Sequence, residues 1–264
     1  MARGLLIVNP HAGRAGPSSN ELVGEAQRRG LDVHVLDGSD AADVARSTDA
    51  DVIGIAGGDG SCAAVAQVCV DRDLPLVCVP FGTRNHFARD AGVDRDDALA
   101  ALDLFASASE RRVDVGRVQG RLFLNNVSLG LYARLVHHRE ARRRRREALA
   151  RLRALALLAT DRAPLGLRID GSPVTAHVVV VSNNAYTLDV LSIGERERLD
   201  EGLLHLYVPT GIVPSEWHDR TATRLQIDAA RPVLRVAVDG EPAELAPPIL
   251  FEVQPGALRL RVPS

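Results

Sequence analysis

The sequence predicts an α/β domain followed by a β-rich domain, and two observations carry this prediction. The first hundred residues alternate short apolar runs with segments of helical spacing. After about residue 110 the pattern changes to pairs of strand-like segments joined by glycine-containing turns. The first pattern is typical of a parallel sheet covered by helices, and the second of antiparallel hairpins. We therefore expect an α/β domain at 1–112 and a β-rich domain at 113–264.

Apolar runs and helical spacing define the elements of the first domain. Strands are predicted at 5–9, 31–36, 51–56 and 74–80, and helices at 18–30, 40–47 and from 61 onward. Ligands bind at the carboxyl ends of the strands in such sheets. Three of the loops at those ends combine glycine with polar residues, namely 9–13, 57–61 and 82–85. The sequence therefore predicts a binding site built from these three loops.

Turn signals define the second domain. Hairpins are predicted at 112–128, 165–184, 233–245 and 248–262, each with a glycine at its turn. Two stretches depart from this pattern. We expect a helix at 131–160 and a second one at 214–225.

Composition limits the class of protein. Hydrophobic content of 46%, charged content of 25% and a net charge of −2 are ordinary for a globular chain and give no general reason to expect nucleic acid. All 32 basic residues are arginine, which excludes a P-loop with its lysine. The three cysteines lie in apolar runs, so we expect buried, reduced thiols. With no signal-peptide pattern and no long uncharged stretch, we expect a cytoplasmic protein able to touch the inner membrane face.

The glycine turn at 57–61 has the composition of a phosphate site. Its sequence is Gly-Gly-Asp-Gly-Ser, directly after a strand and before a helix. Glycines let backbone N–H groups approach phosphate oxygens, and a helix amino terminus favours negative charge. The alternative is a tight strand-to-helix turn without a ligand. The pattern differs from G-x-G-x-x-G, so a Rossmann dinucleotide site is disfavoured.

Two acids flank a glycine near the carboxyl end of the chain. Asp239 and Glu241 stand on either side of Gly240 in a predicted hairpin turn. An alcohol is a poor nucleophile, so phosphoryl transfer to one needs a positioned carboxylate to take its proton. Asp-Gly is also a common hairpin turn, in which case both acids are merely solvated.

Several segments in register resemble the diacylglycerol kinase catalytic family. They are NPHAG (9–13), GGDGS (57–61), PFGTRNHFARD (80–90), FLNNVSLG (123–130), LDEGLLHLYV (199–208) and VDGE (238–241). That family is distantly similar to NAD kinases and phosphofructokinases. The resemblance implies a Rossmann-like α/β domain, an antiparallel β-sandwich-like domain and an ATP- and Mg²⁺-dependent lipid kinase. Its acceptor would be a hydroxyl of a diacylglycerol-like or sphingoid lipid.

The resemblance also assigns residues. It implies an ATP site formed by the three loops and lined by Asn9, Pro10, His11, Ala12, Gly13, Gly57, Gly58, Asp59, Gly60, Ser61, Thr83 and Asn85. It implies a structural Mg²⁺ held by Glu201 with the carbonyls of Arg198 and Leu203. It assigns proton removal from the acceptor to Glu241, or to Glu241 and Asp239 together.

This chain departs from the family at several of these positions. Ala63 and Ala64 stand where the family has Asn and Glu, and His86 where it has Asp. Arg84 replaces a small residue, and Glu201 replaces an Asp. Two alternatives to a lipid kinase therefore stay open. One is a small-molecule kinase of the NAD kinase-like group, and the other is a catalytically weakened nucleotide- or lipid-binding module.

An arginine-rich stretch at 137–160 suggests contact with a partner. Arg142–Arg146 precede leucines that recur every three residues. An amphipathic helix on anionic lipid would suit an enzyme with a lipid substrate at a membrane surface. Capture of RNA or an acidic protein, and a core-packed helix with a solvated basic face, are the alternatives. We expect no nucleic acid partner from the overall charge, and a homodimer is compatible with the sequence.

Overall fold

The computed structural model of the protein describes residues 3–12, 17–130, 165–189, 192–209 and 217–264. Gly13, Arg142–Arg146 and the predicted helix at 131–160 lie outside the described residues. The chain forms two compact units, the first made of 1–115, 198–201 and 254–264, and the second of 116–197 and 202–253. The sequence-based division at 112/113 treats the domains as continuous segments. Division by contacts instead adds two later segments to the first unit.

The first unit is built on four parallel strands in the order β2-β1-β3-β4. The strands are β1 (Gly4–Val8), β2 (Asp32–Val35), β3 (Val52–Gly57) and β4 (Leu76–Pro80). The helices are α1 (Ser19–Arg28), α2 (Ala41–Ser47), α3 (Asp59–Arg72) and α4 (His86–Asp90), followed by a 3-10 helix at Ala100–Phe105. Strands β1, β3 and β4 are buried along their whole length, as parallel strands covered on both faces must be. The predicted α/β architecture is confirmed.

Polar side chains mark where two of the helices begin. The Ser18 hydroxyl accepts the Glu21 N–H, and the Glu21 carboxylate accepts the Ser18 N–H in return. Asp40 accepts the N–H groups of Ala42 and Asp43 at the start of α2. Such caps satisfy backbone donors that the first helical turn leaves without partners.

Glycines inside the central strands make room for an aromatic ring. A Cβ on Gly54 of β3 would overlap the Phe105 ring, and one on Gly4 of β1 would lie 2.8 Å from it. Phe105 ends the 3-10 helix and therefore packs directly on the strand backbone. Glycine is required at these two strand positions, because any side chain there would displace the Phe105 ring.

The strands of the second unit form two larger antiparallel sets, and β11 and β12 form a separate antiparallel pair. In one set, neighbouring strands follow the order β14-β13-β10-β7-β16-β17. In the other set, neighbouring strands follow the order β18-β15-β8-β9. The strands are β5 (Ser109–Val118), β6 (Arg121–Phe123), β7 (Asn126–Gly130), β8 (Leu165–Ile169), β9 (Ser172–Ala176), β10 (Val178–Asn183), β11 (Leu188–Asp189), β12 (Ser192–Ile193), β13 (Leu204–Pro209), β14 (Trp217–Ala222), β15 (Arg224–Ala229), β16 (Leu234–Val238), β17 (Glu241–Leu245) and β18 (Ile249–Val262). The ends of β5 and β18 fall in different units.

The core of the second unit lies between its sheets. Val127, Val179 and Leu204 from one sheet share a buried cluster with Leu225 and Phe251 from the other. Burying such a side chain contributes about 2 kcal/mol each to folding. The predicted antiparallel β architecture is thus confirmed.

The predicted hairpin at 248–262 is wrong, because these residues form the single strand β18 (Ile249–Val262). Gly256 lies inside this strand and does not form a turn between two strands.

The predicted helix at 214–225 is also wrong. Residues Trp217–Ala222 form β14, which pairs antiparallel with β13 from Leu204 opposite Ala222 to Pro209 opposite Trp217. β15 begins two residues later, at Arg224. The apolar spacing was compatible with a helix, but pairing with an existing strand edge overrides such a weak local preference.

All three cysteines are free and buried, as expected. Within the described ranges, no helix is long and apolar enough to span a bilayer.

Candidate active site

The glycine loop after β3 presents an uncapped helix amino terminus. Gly58 precedes α3, a helix of 14 residues, and no side chain caps it. The first turn of a helix leaves N–H groups without intrahelical acceptors, and here that turn begins Asp59-Gly60-Ser61. Aligned peptide dipoles add positive potential at this end. The loop therefore has the donors and the charge that suit a phosphate group.

The loop after β4 approaches this turn closely. A Cβ on Gly82 would lie 2.5 Å from the Gly58 Cα and 2.8 Å from the Asn85 Oδ1. Asn85 is buried, and its backbone adopts the left-handed conformation, at φ +50°. Its side-chain amide accepts the Gly82 N–H at 2.9 Å and donates to the Gly82 carbonyl at 3.0 Å. Asn85 thus shapes the loop in which it was predicted to act, while Thr83 is exposed at its tip.

The loop after β1 is tied to the same helix. The Asn9 Nδ2 donates to the Ser61 Oγ at 3.1 Å, and the Asn9 Oδ1 accepts the His11 N–H at 3.1 Å. The Ala12 N–H donates to the Asn9 carbonyl at 3.2 Å. Pro10 lies between them, and His11 is exposed. Asn9 therefore connects the end of β1 to the first turn of α3.

Asp59 joins the glycine loop to α4. Its carboxylate accepts the Phe87 N–H at 3.1 Å and the His86 N–H at 3.3 Å. These are backbone donors at the start of α4, so the carboxylate serves as a clamp between two loops. The sequence assigned Asp59 to the nucleotide, and the structure adds this positioning role. All three predicted loops of the first unit are therefore brought together.

A titratable side chain and two thiols lie beside this junction. Burial lowers the pKa of His86. The positive charge of Arg89 lowers this pKa further, and the negative charge of Asp59 raises it. Beneath the loop, the Cys62 and Cys78 sulfurs are 3.1 Å apart, next to a cavity of about 10 Å³. That volume suits a single water, so any nucleotide would lie over the loop surface.

In the second unit, Asp239 lies in the hairpin turn between β16 and β17, and Glu241 is the first residue of β17. Asp239 and Gly240 have φ values of +48° and +82°, as a type I′ turn requires. The Asp239 carboxylate accepts the N–H groups of Leu124, Asn125 and Asn126 at 2.8, 2.7 and 3.1 Å. Glu241 is exposed. Asp239 therefore holds the turn in place, and Glu241 is the acid that can reach a ligand.

A buried arginine that sequence reasoning missed holds the same backbone from the other side. Arg196, only 3% exposed, donates to the Leu124 carbonyl at 2.7 Å and to the Asn125 Oδ1 at 2.6 Å. Its guanidinium also lies over the Tyr186 ring, 5.2 Å from the centroid. Arg196 occurs in the charged run GERER, which gives no sign of burial. The FLNN segment is thus fixed between Arg196 and Asp239.

The residues assigned to Mg²⁺ offer one carboxylate, that of Glu201, and two backbone carbonyls. Arg198 and Glu201 belong to the first unit and Leu203 to the second. The Leu203 carbonyl accepts the Asn184 N–H at 3.0 Å. In the part of the chain that the structure describes, no three His, Cys, Asp or Glu side chains cluster as metal ligands. One carboxylate with carbonyls would leave several positions to water, a mode that Mg²⁺ accepts.

Comparison with protein families identifies the first unit. Residues 3–118 match the family model of the diacylglycerol kinase catalytic domain, and this stretch contains all three loops described above. These residues belong to the diacylglycerol kinase catalytic domain family. The predicted family is confirmed over these residues.

Relatives of this domain differ in their sequence identity to this chain and in the length over which they match it. A diacylglycerol kinase of Mycobacterium tuberculosis is 32% identical over 123 residues, covering 43% of this chain and 39% of that protein. A diacylglycerol kinase of Bacillus subtilis is 31% identical over 147 residues, covering 52% and 48%. The chain thus matches less than half the length of either. A Klebsiella pneumoniae protein named "Probable lipid kinase YegS-like" is 26% identical, covering 98% and 95%.

Solved structures share the fold. A diacylglycerol kinase from Bacillus anthracis gives a TM-score of 0.70 at 22% identity and covers 99% of this chain and 97% of that one. Yeast NADH kinase gives a TM-score of 0.52 at 14% identity, covering 100% and 84%. At such identities the likeness shows the fold alone. It confirms the predicted relation to both kinase architectures.

Proposed function

We propose that this protein is an ATP-dependent lipid kinase that transfers the γ-phosphoryl group to a hydroxyl of a diacylglycerol-like or sphingoid lipid. One observation carries the proposal. Three loops at the carboxyl ends of β1, β3 and β4 converge on the uncapped amino terminus of α3, within residues that match the diacylglycerol kinase domain.

The donor phosphates would bind at this helix terminus. Backbone N–H groups of the first turn of α3 supply donors, and Gly58 before that turn has no side chain that could cover them. The Ser61 hydroxyl and the exposed Thr83 hydroxyl are further donors at the same edge. Mg²⁺ bound with the nucleotide would neutralise phosphate charge.

The acceptor hydroxyl would lose its proton to Glu241. This carboxylate is exposed, whereas both Asp239 oxygens accept backbone N–H groups. A carboxylate that already accepts three hydrogen bonds is a poor base, because those bonds stabilise its ionised form. The proposal requires that the two units bring Glu241 to the γ-phosphate during turnover.

Glu241→Gln tests the role of the base. The substitution keeps the size of the side chain and removes its basicity, so turnover should fall by about 10²- to 10⁴-fold. ATP affinity, measured by calorimetry, should stay unchanged. Glu244→Gln is the matched control, because Glu244 is also exposed on β17 and should leave turnover intact. Normal turnover in the Glu241→Gln protein would remove Glu241 from the mechanism.

A transfer assay with labelled ATP tests the acceptor class. Lipids presented in mixed micelles should be phosphorylated in the presence of Mg²⁺, and water-soluble acceptors should not. Product from a water-soluble acceptor alone would instead support a small-molecule kinase of the NAD kinase-like group. ATP binding without product from any acceptor would support a binding module, which His86, Ala63 and Ala64 favour because they replace polar family residues.

A further inference from the structure

A pocket in the second unit is independent of the proposed catalytic residues. It has a volume of about 190 Å³, and Leu129, Leu165 and Leu234 form its apolar lining. Arg231, Val233 and Arg235 line it as well. Pockets for whole small-molecule ligands usually exceed roughly 300 Å³. This pocket is therefore suited to part of a larger amphiphile.

The rim of this pocket exposes an apolar side chain between two cations. Val233 is 44% exposed, one of two large hydrophobic residues with this property in the described ranges. Arg231 and Arg235 are both exposed on either side of it. An exposed aliphatic residue flanked by arginines is typical of a surface that meets the boundary between lipid headgroups and acyl chains.

The two arginines are available to an external anion. Among the described residues, no carboxylate forms an ion pair with Arg231. Arg235 lies 3.4 Å from Glu244, but both side chains are more than half exposed, and such pairs contribute little. A phosphate group could therefore displace Glu244 at small cost.

Two lining residues of the pocket flank a basic stretch of the sequence. Gly130 and Leu165 both line the pocket, and they flank residues 131–164. That segment contains ten arginines against three acidic residues, a formal charge of +7 in a chain whose net charge is −2. The basic segment is therefore joined at both ends to the pocket that carries Arg231 and Arg235.

We infer that Arg231, Val233, Arg235 and the pocket beside them form a binding surface for an anionic phospholipid bilayer. The arginines bind headgroup phosphates, and Val233 enters the acyl boundary. Nucleic acid has the same phosphate charge but offers no apolar layer for Val233, so a bilayer fits the surface better. The inference does not depend on kinase activity.

Vesicle sedimentation of the full chain tests this surface. The parent protein should sediment with vesicles that contain phosphatidylglycerol, should stay in solution with pure phosphatidylcholine, and should be released by salt. Each basic residue near an anionic surface contributes about 1 kcal/mol, or about fivefold in affinity. Arg231→Gln with Arg235→Gln should therefore weaken binding about 25-fold. Val233→Ser should weaken it about threefold through lost apolar contact.

Matched substitutions elsewhere in the second unit serve as the control. Arg224 lies 3.3 Å from Glu252 with a similarly exposed side chain, and Arg121 is exposed on β6. Arg121→Gln with Arg224→Gln removes the same charge and should leave vesicle binding unchanged. Equal losses in both double variants would show that only net charge matters and would overturn the inference.

Two further outcomes would also overturn it. One is unchanged vesicle binding by the Arg231→Gln, Arg235→Gln protein. The other is binding to an RNA homopolymer without binding to anionic vesicles. Because sedimentation requires neither ATP nor an acceptor, failure here is separate from failure of the kinase proposal. Circular dichroism and melting curves of the double variants, measured alongside, verify that they remain folded.

Discussion

Asp239 and Glu241 stand two residues apart in one hairpin, yet their surroundings differ. The Asp239 carboxylate accepts three backbone N–H groups from the segment Leu124–Asn126, and Arg196 holds that segment from its carbonyl side. Glu241 is exposed on the neighbouring strand. A motif that suggests a pair of acids therefore separates into one structural carboxylate and one that is accessible to a ligand.

Asp239→Asn should destabilise the protein by about 2 kcal/mol. The amide replaces one acceptor oxygen with a donor that faces backbone N–H groups, and it also loses the charge that strengthens these bonds. Asn tolerates the positive φ of this position, so the effect comes from the hydrogen bonds and not from the backbone. Denaturant midpoints at equal slope measure it. Glu241→Gln should stay within about 0.5 kcal/mol of the parent. If the two variants were equally stable, Asp239 would not hold the turn.

His86 makes the stability of the first unit depend on pH. Burial lowers its pKa below the ordinary value of 6.5, the charges of Arg84 and Arg89 act in the same direction, and those of Asp59 and Asp90 oppose them. Below pH 6.5 the unfolded chain therefore binds more protons at this residue than the folded chain does. The stability present above pH 6.5 is lost as the pH falls through the lowered pKa.

His86→Asn should remove this contribution. The difference in melting temperature between parent and variant should be constant above pH 6.5. Below pH 6.5 the melting temperature of the parent should fall relative to that of the variant. Melting curves at a series of pH values provide the measurement. A difference that stays constant down to pH 5 would show that His86 protonates as easily in the folded protein as in the unfolded one.

Among helices and loops, the decisive contact is between the two glycine turns. The β3 and β4 loops approach so closely that Gly82 has no room for a Cβ, which would lie 2.5 Å from the Gly58 Cα. Hydrogen bonds from Asn9 to Ser61, and from the start of α4 to Asp59, join the remaining loops to the same helix terminus. The proposed phosphate site is therefore a property of four elements together.

Gly82→Ala should weaken ATP binding at least tenfold. Its Cβ would lie 2.5 Å from the Gly58 Cα, a backbone atom that cannot move without displacing the first turn of α3. Calorimetry measures the affinity. Gly24→Ala is the control, because a Cβ at this helical position meets no atom closer than 3.8 Å. It should leave ATP affinity unchanged and raise stability by about 0.5–1 kcal/mol. Full ATP affinity in the Gly82→Ala protein would place the phosphates elsewhere.

For the chain as a whole, the evidence differs between the two units. The family match covers residues 3–118, which contain the donor loops and end close to the division at Val115. The acid proposed as the base and the surface proposed for the bilayer both lie in the second unit. The nucleotide side of the proposal therefore has support from the family, whereas the acceptor side depends on the geometry of the second unit and on the experiments above.

Local patterns were sufficient for much of this molecule. Alternating apolar and helical segments predicted the four parallel strands, since both periodicities reflect contacts between residues close in sequence. Glycine turns correctly predicted the hairpins at 112–128, 165–184 and 233–245, because positive φ angles select glycine there. The hairpin predicted at 248–262 is wrong, because these residues form one continuous strand. Short motifs at strand ends located three loops that the fold brings together. The prediction failed at Trp217–Ala222, where pairing with β13 determines the conformation.

The sequence by itself therefore determined the order of the two architectures and the positions of the loops that carry the motifs. Only the tertiary structure decided what those side chains do: that Asp239 and Arg196 hold one backbone segment, that Asp59 clamps α4, and that Arg231 and Arg235 flank an exposed valine beside a pocket. The Asp239 contacts join residues more than a hundred positions apart. No local periodicity records such a contact, because the partner is chosen by the folded chain.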